Sequence, residues 1–374
     1  MKKKILFISN TAIFSRFNLP YMRWFKQQGW QIDYVSNGDM IIPDCDNQYA
    51  IRINRSPYNC NNITAYKELK KILLNEYDLI HCHTPMGGVL GRMAAKNIHT
   101  KAKVLYTAHG FQFYKGAPVI NWLLYYPMEK YLAKYTDVII TINEEDYNIA
   151  KRKFNLCNNI CKINGVGIDL EKFMPCDKEN KRQLRNKFEL KENDFVILYV
   201  AEFIDRKNHK MLINSMERLN SKIKNLKIIF AGNGFLLKKY KEIIKKKKLT
   251  ETVLFLGYRN DIEQLCNIAD LGISTSKQEG LPINILEYIA SGLPVVCSRI
   301  RGHIDIVTNK RNGLLFGLNN INQMIDSIFE LQNNANLRNT IIHNNLEDRE
   351  KYSVNNLIQK TAEIYIQYMS EQTK

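Results

Sequence analysis

The sequence lacks the features that would place it in several familiar classes of protein. None of its eight cysteines forms a C-x-x-C pair or repeats at zinc-knuckle spacing, which predicts free thiols in a reducing compartment. No stretch approaches about 18 consecutive apolar residues, so no membrane-spanning helix is predicted. The apolar run behind the first lysines is too short for a signal peptide. We therefore expect a cytoplasmic protein that is soluble or lies on a membrane surface.

Acidic residues are scarce relative to basic ones. The chain has 37 Asp and Glu against 54 Lys and Arg, a formal net charge of +17. Such an excess is typical of proteins that meet polyanions: nucleic acid, anionic lipid or phosphorylated substrates. No nucleic-acid-binding motif accompanies the charge, so we expect no nucleic-acid partner. With 374 residues, 45% of them hydrophobic, the chain is long enough for two globular domains.

Short apolar runs alternate with helical patterns along the whole chain. Continuous apolar runs indicate strands that are covered on both faces, as in the parallel sheet of an α/β domain. Predicted strands of the first half are 5–8, 32–35, 79–82, 104–107 and 138–141; predicted helices are 17–28, 65–76 and 87–96.

The same pattern starts again after a polar, charged segment at 178–194. Its predicted strands are 195–200, 226–230, 253–256, 271–274 and 295–297. Two runs of this kind predict two doubly wound, Rossmann-like domains. We assign them to residues 1–168 and 169–354, and expect a C-terminal helix at about 355–374 to pack back on the first. Ligands of such sheets bind beyond the carboxyl ends of the strands, in a cleft that two such domains would share.

The segment from Ser274 to Pro294 carries the richest motif. Pro282 suits the first turn of a helix and Gly292 suits the position just after its end, which predicts a helix from about 282 to 291. Backbone amides at that helix N-terminus would bind a phosphate. Glu279, just before it, suits neutral hydroxyls attached to that phosphate, and Glu287 a second set of hydroxyls. The alternative is that Glu279 caps the helix and Glu287 is solvated, and the spacing alone does not decide.

Further residues carry a resemblance to a known family. Two glutamates with seven residues between them, followed by Ala-Ser-Gly-Leu-Pro-Val-Val, resemble the nucleotide-sugar motif of retaining glycosyltransferases of family 4, which have the GT-B fold of two Rossmann-like domains facing across a cleft. In the second half, matching segments are 164–169, 199–208, 255–262 and 312–316. In the first half, 81–88 and 106–116 resemble the enzymes of bacterial exopolysaccharide and capsule synthesis in particular.

The resemblance implies roles for individual residues. Lys207, with Arg206, would lie against the donor diphosphate; Glu279 would bind the donor sugar and Glu287 the ribose. His109 would approach the transferring sugar from the first domain. Backbone amides near Gly280 and Leu281 would face the phosphate, and Arg259 would lie in the nucleobase-side loop. The implied catalytic residues are His109, Glu279 and Lys207.

The chain departs from the family pattern at two places. Glu202 stands where family members usually have an arginine, and Arg206 is the candidate to supply that charge. The loop at 9–16 has no glycine, although many members have a glycine-rich loop there.

The function implied is retaining transfer of a sugar, such as an N-acetylhexosamine, from a nucleotide-diphosphate sugar that we expect to be UDP-linked. The acceptor would be a polyprenyl-diphosphate-linked saccharide in capsule, exopolysaccharide or O-antigen synthesis. We expect no metal and no cofactor, and a peripheral location on the anionic inner face of the cytoplasmic membrane. The alternatives are a non-hydrolysing sugar-nucleotide epimerase and a non-catalytic sugar-nucleotide-binding assembly protein.

Other motifs have simpler interpretations. Asp44-Cys-Asp46 matches the D-x-D metal motif of other glycosyltransferases, and His81-Cys-His83 alternates as metal ligands can, but a loop and a strand end are the favoured interpretations. Gly232-Asn-Gly234 lacks the third glycine of a dinucleotide site. The lysine run at 238–248 is expected to be a solvated helix face. The aromatic cluster at 122–128 is expected to be core, with membrane contact as the alternative.

Overall fold

The structure consists of two compact units, each with its own sheet. It is a computed structural model that describes residues 2–154 and 159–370, so Cys157 and the last four residues of the predicted C-terminal helix lie outside it. The first unit contains the residues up to Val166 and those from Asn355 onward, and the second is Gly167–Val354. The sheets have seven and six strands and are entirely parallel, which confirms the predicted α/β class.

The first unit is built around the seven-stranded sheet. Its strands are β1 Lys4–Ile8, β2 Gln31–Ser36, β3 Asn47–Ala50, β4 Leu79–His83, β5 Lys103–Ala108, β6 Val138–Thr141 and β7 Asn159–Lys162. Their spatial order is β3-β2-β1-β4-β5-β6-β7. The helices that cover them are α1 Ser15–Gln27, α2 Asn61–Leu73, α3 Pro85–Asn97, α4 Val119–Ala133 and α5 Glu144–Lys153.

The second unit repeats this architecture with six strands. These are β8 Phe195–Val200, β9 Leu226–Ala231, β10 Val253–Gly257, β11 Leu271–Ser274, β12 Val295–Ser298 and β13 Leu314–Phe316, in the order β10-β9-β8-β11-β12-β13. The helices are α6 Lys178–Lys187, α7 His209–Lys222, α8 Leu237–Lys246, α9 Ile262–Ile268, α10 Ile283–Ala290, α11 Ile321–Asn333 and α12 Ala335–Asp348.

A last helix, α13 Val354–Ser370, joins the first unit. Its Tyr365 is fully buried, and the ring lies 4.7 Å from that of Phe25 on α1. The Tyr365 hydroxyl lies 2.6 Å from Nδ1 of His81 on β4. None of the helices in the described part of the chain is long and apolar enough to cross a membrane.

The ten predicted strands are present, each within one residue at either end. Central strands such as β4 and β6 have no exposed residue, and burial on both faces is what makes them continuous apolar runs. The prediction missed three edge strands. β3 and β7 contain mostly polar, half-buried or exposed residues, and β13 has only three residues, too few for a clear apolar run.

Candidate active site

The segment that follows β11 leads into α10 and forms the phosphate-binding candidate. The predicted helix start at Pro282 is wrong by one residue, because Pro282 is extended (ψ 115°) and precedes the first helical residue, Ile283. The first backbone bond into the helix runs from the Leu286 amide to the Pro282 carbonyl (3.4 Å). The amides of residues 283–285 come before it and have no intrahelical acceptor, as at any helix N-terminus. Gly280 and Leu281 lie directly ahead of these donors.

Glu279 forms the centre of a charge cluster with the two predicted cations. Its Oε1 accepts a hydrogen bond from Lys207 Nζ at 2.6 Å and its Oε2 from Arg206 Nη1 at 2.8 Å. Glu279 is only 5% exposed, whereas the Arg206 side chain is 41% exposed. Burial opposes ionisation of Glu279, but Lys207 and Arg206 outweigh it and lower its pKa to about 2. Glu279 is thus an ionised carboxylate at neutral pH.

Two loops that are distant in sequence are fastened together to form this cluster. The Lys277 amide donates to the Arg206 carbonyl (2.8 Å), and the Thr275 hydroxyl donates to the Asn208 carbonyl (2.9 Å). The buried Tyr199 hydroxyl donates to the Lys207 carbonyl. These bonds fix the backbone that carries both cations relative to the one that carries the carboxylate.

Residues after β12 support the same cluster, and sequence reasoning missed them. Nε of Arg301 donates to the Glu279 carbonyl (3.2 Å). His303 is fully buried between Ser274 and Ser298, and burial lowers its pKa to about 4, so its ring is neutral. Gly302 has φ +81°, and a Cβ there would lie 2.7 Å from the Gly280 carbonyl oxygen, so only glycine fits without displacement. The position of Arg301-Gly-His303 just beyond a strand end was the available signal.

Glu287 lies in a different environment, one turn into α10. It is half-buried, and burial, aided by the nearby Glu263 carboxylate, raises its pKa to about 8 against the opposing effect of Lys172. Lys172 Nζ lies 3.4 Å from Glu263 Oε2 and donates to the Asn260 carbonyl (3.2 Å). At neutral pH the Glu287 carboxyl is therefore mostly protonated and can both donate and accept hydrogen bonds.

Arg259 is paired with Asp261. Its Nε donates to Asp261 Oδ1 at 2.8 Å, a second nitrogen pairs with Asp261 Oδ2, and the guanidinium lies 5.7 Å from the Phe188 ring centre. Glu202, in the place of the usual family arginine, is exposed. A nucleotide contact of Arg259 stays a prediction.

His109 belongs to the first unit and is one of three neighbouring histidines. Its Nε2 lies 3.2 Å from Nδ1 of His83, and its ring meets Phe14 edge-on at 4.7 Å. Burial lowers the pKa of His109 to about 4, which leaves it neutral. Both nitrogens of His81 are engaged, one by Tyr365 and the other by Thr107 at 2.8 Å, so His81 is a structural residue.

The remaining motifs have structural explanations. Asp44 pairs with Arg23 (2.9 Å), and Asp46 accepts from the Ile32 amide (2.8 Å). In the described ranges no group of three or more His, Cys, Asp or Glu is arranged to hold a metal ion. Gly232 approaches the Ala201 carbonyl so closely that a Cβ would lie 2.0 Å from its oxygen. The lysines of α8 are exposed, as expected for a solvated face.

Comparisons with known proteins identify the family of this chain. Residues 180–348 match the family described as Glycosyl transferases group 1, and residues 4–143 match Glycosyl transferase 4-like. EpsD of Bacillus subtilis, described as a candidate glycosyltransferase, is 40% identical over 377 residues, covering 100% of this chain and 99% of EpsD. The chain belongs to glycosyltransferase family 4. It is also 30% identical to the UDP-Gal:alpha-D-GlcNAc-diphosphoundecaprenol alpha-1,3-galactosyltransferase of Escherichia coli, covering 85% of this chain and 84% of that one.

Solved structures show the same fold at low sequence identity. Anabaena Alr3699/HepE in complex with UDP-glucose has a TM-score of 0.81 at 18% identity, covering 97% of this chain and 99% of that one. A glycosyltransferase from Rickettsia africae ESF-5 has a TM-score of 0.78 at 20% identity, covering 98% and 99%. This family 4 enzyme therefore has the GT-B fold, as the sequence predicts.

The charge cluster makes a prediction for Glu279→Gln. The amide cannot accept as strongly from donor hydroxyls, so turnover should fall by roughly ten- to a hundredfold. UDP alone should bind at least as tightly as to wild type, because Lys207 and Arg206 lose their internal counter-ion. Calorimetry with UDP and a turnover assay with the UDP-sugar measure the two effects, with the nearby Gln278→Ala as control. Wild-type turnover in Glu279→Gln would contradict the assignment.

The raised pKa of Glu287 makes a second prediction. Because the folded-state pKa lies above the ordinary value, the folded protein loses stability as pH rises from about 4.5 to about 8. Glu287→Gln removes this loss and should stabilise the protein at pH 8 by on the order of 1–3 kcal/mol, with little effect at pH 5.

Glu287→Ala should weaken UDP binding by roughly 1–3 kcal/mol through lost ribose contacts.

The stability effect is tested by thermal unfolding of Glu287→Gln between pH 4.5 and pH 8. The effect on UDP affinity is tested by titrating both variants with UDP. The exposed Glu251→Gln is the control and should show neither. A Glu287→Gln protein whose stability follows the wild-type pH profile would show that Glu287 is ionised in the fold. Unchanged UDP affinity in Glu287→Ala would remove Glu287 from the nucleotide site.

Proposed function

We propose that this enzyme transfers a sugar, with retention of anomeric configuration, from a UDP-sugar to a polyprenyl-diphosphate-linked saccharide. The reaction would belong to capsule, exopolysaccharide or O-antigen synthesis, with an N-acetylhexosamine as the sugar. The observation that carries the proposal is the buried Glu279 carboxylate held by Lys207 and Arg206 ahead of the α10 N-terminus. Relatives support it by name. Besides the Escherichia coli enzyme, there is an N,N'-diacetylbacillosaminyl-diphospho-undecaprenol alpha-1,3-N-acetylgalactosaminyltransferase of Campylobacter jejuni, 26% identical over 61% of its length.

The chain's own groups suit departure of a nucleoside diphosphate. Lys207, Arg206 and the amides ahead of α10 are positive or donor groups, and they would stabilise negative charge that develops on the leaving phosphate. Glu279 compensates part of the positive charge, so the three side chains together carry a net charge of +1. This leaves enough charge to attract a diphosphate while the carboxylate stays available to sugar hydroxyls.

Retention follows if the acceptor attacks from the face that the diphosphate leaves. In this front-face path the bond between the anomeric carbon and the phosphate oxygen breaks as the new glycosidic bond forms. The acceptor hydroxyl proton passes to the departing phosphate. This path requires no covalent nucleophile from the protein. His109 is neutral because of its low pKa, and it would contact the donor sugar by hydrogen bonding.

The deciding experiment is UDP release in the presence and absence of a polyprenyl-diphosphate-sugar acceptor, over a panel of UDP- and GDP-sugars. We expect acceptor-dependent release of UDP and a product of retained configuration. Activity should survive excess EDTA, because Lys207 and Arg206 occupy the place of a divalent ion, and Asp44→Ala should be nearly silent. UDP-sugar consumption without any acceptor would favour the epimerase alternative. Loss of activity on chelation, restored by manganese or magnesium, would contradict the metal-free proposal.

The proposed acceptor places the enzyme at the inner face of the cytoplasmic membrane. The exposed residues of α4 support this location, since Val119, Ile120 and Leu123 are 73%, 55% and 65% exposed. The aromatic residues that we had considered for membrane contact lie inward instead. Trp122 is half-buried, 5.4 Å from the Phe113 ring, and its indole nitrogen donates to the Tyr114 carbonyl. Aliphatic residues of α4 are therefore the candidate contacts.

Liposome co-sedimentation tests this location. Each lysine or arginine near an anionic surface contributes about 1 kcal/mol at physiological salt, so binding should require anionic lipid and weaken as salt rises. Leu123→Ser should reduce binding without changing UDP affinity, whereas Leu74→Ser, which removes a leucine that is 69% exposed elsewhere in the same unit, should not. Equal recovery on neutral liposomes, or equal binding by Leu123→Ser and wild type, would contradict the proposal.

A further inference from the structure

The first unit contains a cavity that none of the proposed donor contacts lines. A pocket of about 480 Å³ opens among α2, α3, α4 and the loop that follows β5. This volume lies in the range of roughly 300–1,000 Å³ that is typical of small-molecule sites. Side chains of its wall include Met86, Leu90, Met93, Phe111 and Phe113. The wall is thus made mainly of apolar groups, and its methionines can adapt to an irregular occupant.

The buried polar side chains in the wall, Asn62, Tyr106 and Glu129, are already bonded within the protein. Asn62 donates to the Ser56 carbonyl and accepts from the Asn54 amide, both at 2.8 Å. Asn59 accepts from the Asn61 amide at 3.0 Å. A sugar or peptide in the buried part of this pocket would find few free partners for its own polar groups, and their burial without partners is unfavourable. The chemistry of the wall favours a hydrocarbon.

Glu129 is the only charged residue of the wall among the residues described, and it is paired with a buried arginine. Glu129 accepts from the fully buried Arg92 at 2.8 Å and from the Tyr106 hydroxyl at 3.4 Å. The Arg92 guanidinium also lies over the Tyr106 ring, 3.8 Å from its centre. Both oxygens of the carboxylate are therefore engaged, and Glu129 presents no unpaired charge to an occupant.

The mouth of the pocket is apolar, and the segments that carry it also bear exposed cations. Tyr58, Ile63, Leu124 and Met128 belong to the wall and are 77%, 61%, 44% and 42% exposed. This exposed surface continues along α4 to Leu123 and Ile120. The exposed Arg55, Lys67 and Lys130 lie on the segments that carry the mouth. An apolar opening on segments that also carry cations suits a hydrocarbon chain that bears an anionic headgroup.

We propose that this pocket binds the isoprenoid chain of the lipid-linked acceptor, at the end next to its diphosphate. The isoprenoid identity of the chain rests on the proposed function; the preference for hydrocarbon rests on the wall alone. Residues 110–113 of the wall follow His109 directly. A chain held by Phe111 and Phe113 would therefore leave its headgroup close to the segment that is predicted to meet the donor sugar.

The proposal can be tested without any sugar transfer by measuring the affinity of the protein for isoprenyl diphosphates with two, three and four isoprene units. Saturating UDP keeps the headgroup out of the donor site, and inorganic diphosphate is the headgroup control. Affinity should rise by roughly tenfold with each isoprene unit, since every added unit buries more hydrocarbon. Met93→Trp, which fills the pocket, should abolish the rise and leave UDP affinity unchanged. Leu74→Trp, outside the wall, should behave like wild type.

Cys60 offers a readout that needs no substitution. Its thiol is free and exposed at the pocket wall, so the four-unit ligand should slow its alkylation, measured by peptide mass spectrometry, relative to Cys176 in the second unit. If Met93→Trp fails to fold, this protection and the wild-type chain-length series still decide. Equal affinity for two and four units, or binding without protection of Cys60, would overturn the pocket assignment.

The two proposals fail in different ways. Chain-length-dependent binding without transfer from any donor would refute the proposed function and leave a hydrocarbon site. Transfer to an acceptor whose lipid length has no effect would refute the pocket and leave the transferase.

Discussion

A carboxylate as deeply buried as Glu279 must be paired, and that requirement organises the donor side of this glycosyltransferase. Removal of its charge from water is unfavourable unless cations and hydrogen bonds compensate. Lys207 and Arg206 do so from a turn after β8, and hydrogen bonds of Tyr199, Thr275 and Lys277 hold that turn against the loop after β11. The carboxylate and the two cations that we propose as diphosphate contacts therefore hold each other in position.

The second unit surrounds this charged cluster with neutral buried groups. His303 has a pKa of about 4 and forms hydrogen bonds with Ser274 and Ser298. It therefore supports the Glu279 loop without adding charge. His209, stacked on Phe203 with 4.1 Å between ring centres, is neutral as well, with a pKa of about 3. Neither histidine therefore adds charge beside the cluster of Glu279, Lys207 and Arg206.

The sequence predicted what periodicity and motif spacing encode. Central strands were predictable because burial on both faces leaves an unbroken apolar run, whereas β3 and β7, at sheet edges, carry no such pattern. Glu279, Lys207 and Arg206 were predictable as a group from the family resemblance, but their direct pairing was not. Sequence spacing does not reveal contacts between distant segments. Such contacts let Arg301 and His303 support the Glu279 loop, and they direct Trp122 inward.

Glu279 and Glu287 differ in ionisation because their surroundings differ. They are close in sequence, since Glu287 lies on α10 and Glu279 just before that helix. Glu279 faces two cations and is ionised, which suits it to accept from hydroxyls of a sugar next to a diphosphate. Glu287 has a carboxylate neighbour and a lysine already shared with Glu263, and it is mostly protonated at neutral pH. A neutral carboxyl there can bind a ribose diol without repelling the diphosphate. The proposed donor is negatively charged only at its diphosphate, where Lys207 and Arg206 would lie. The difference between the pKa values of Glu279 and Glu287 therefore fits the distribution of charge along the donor.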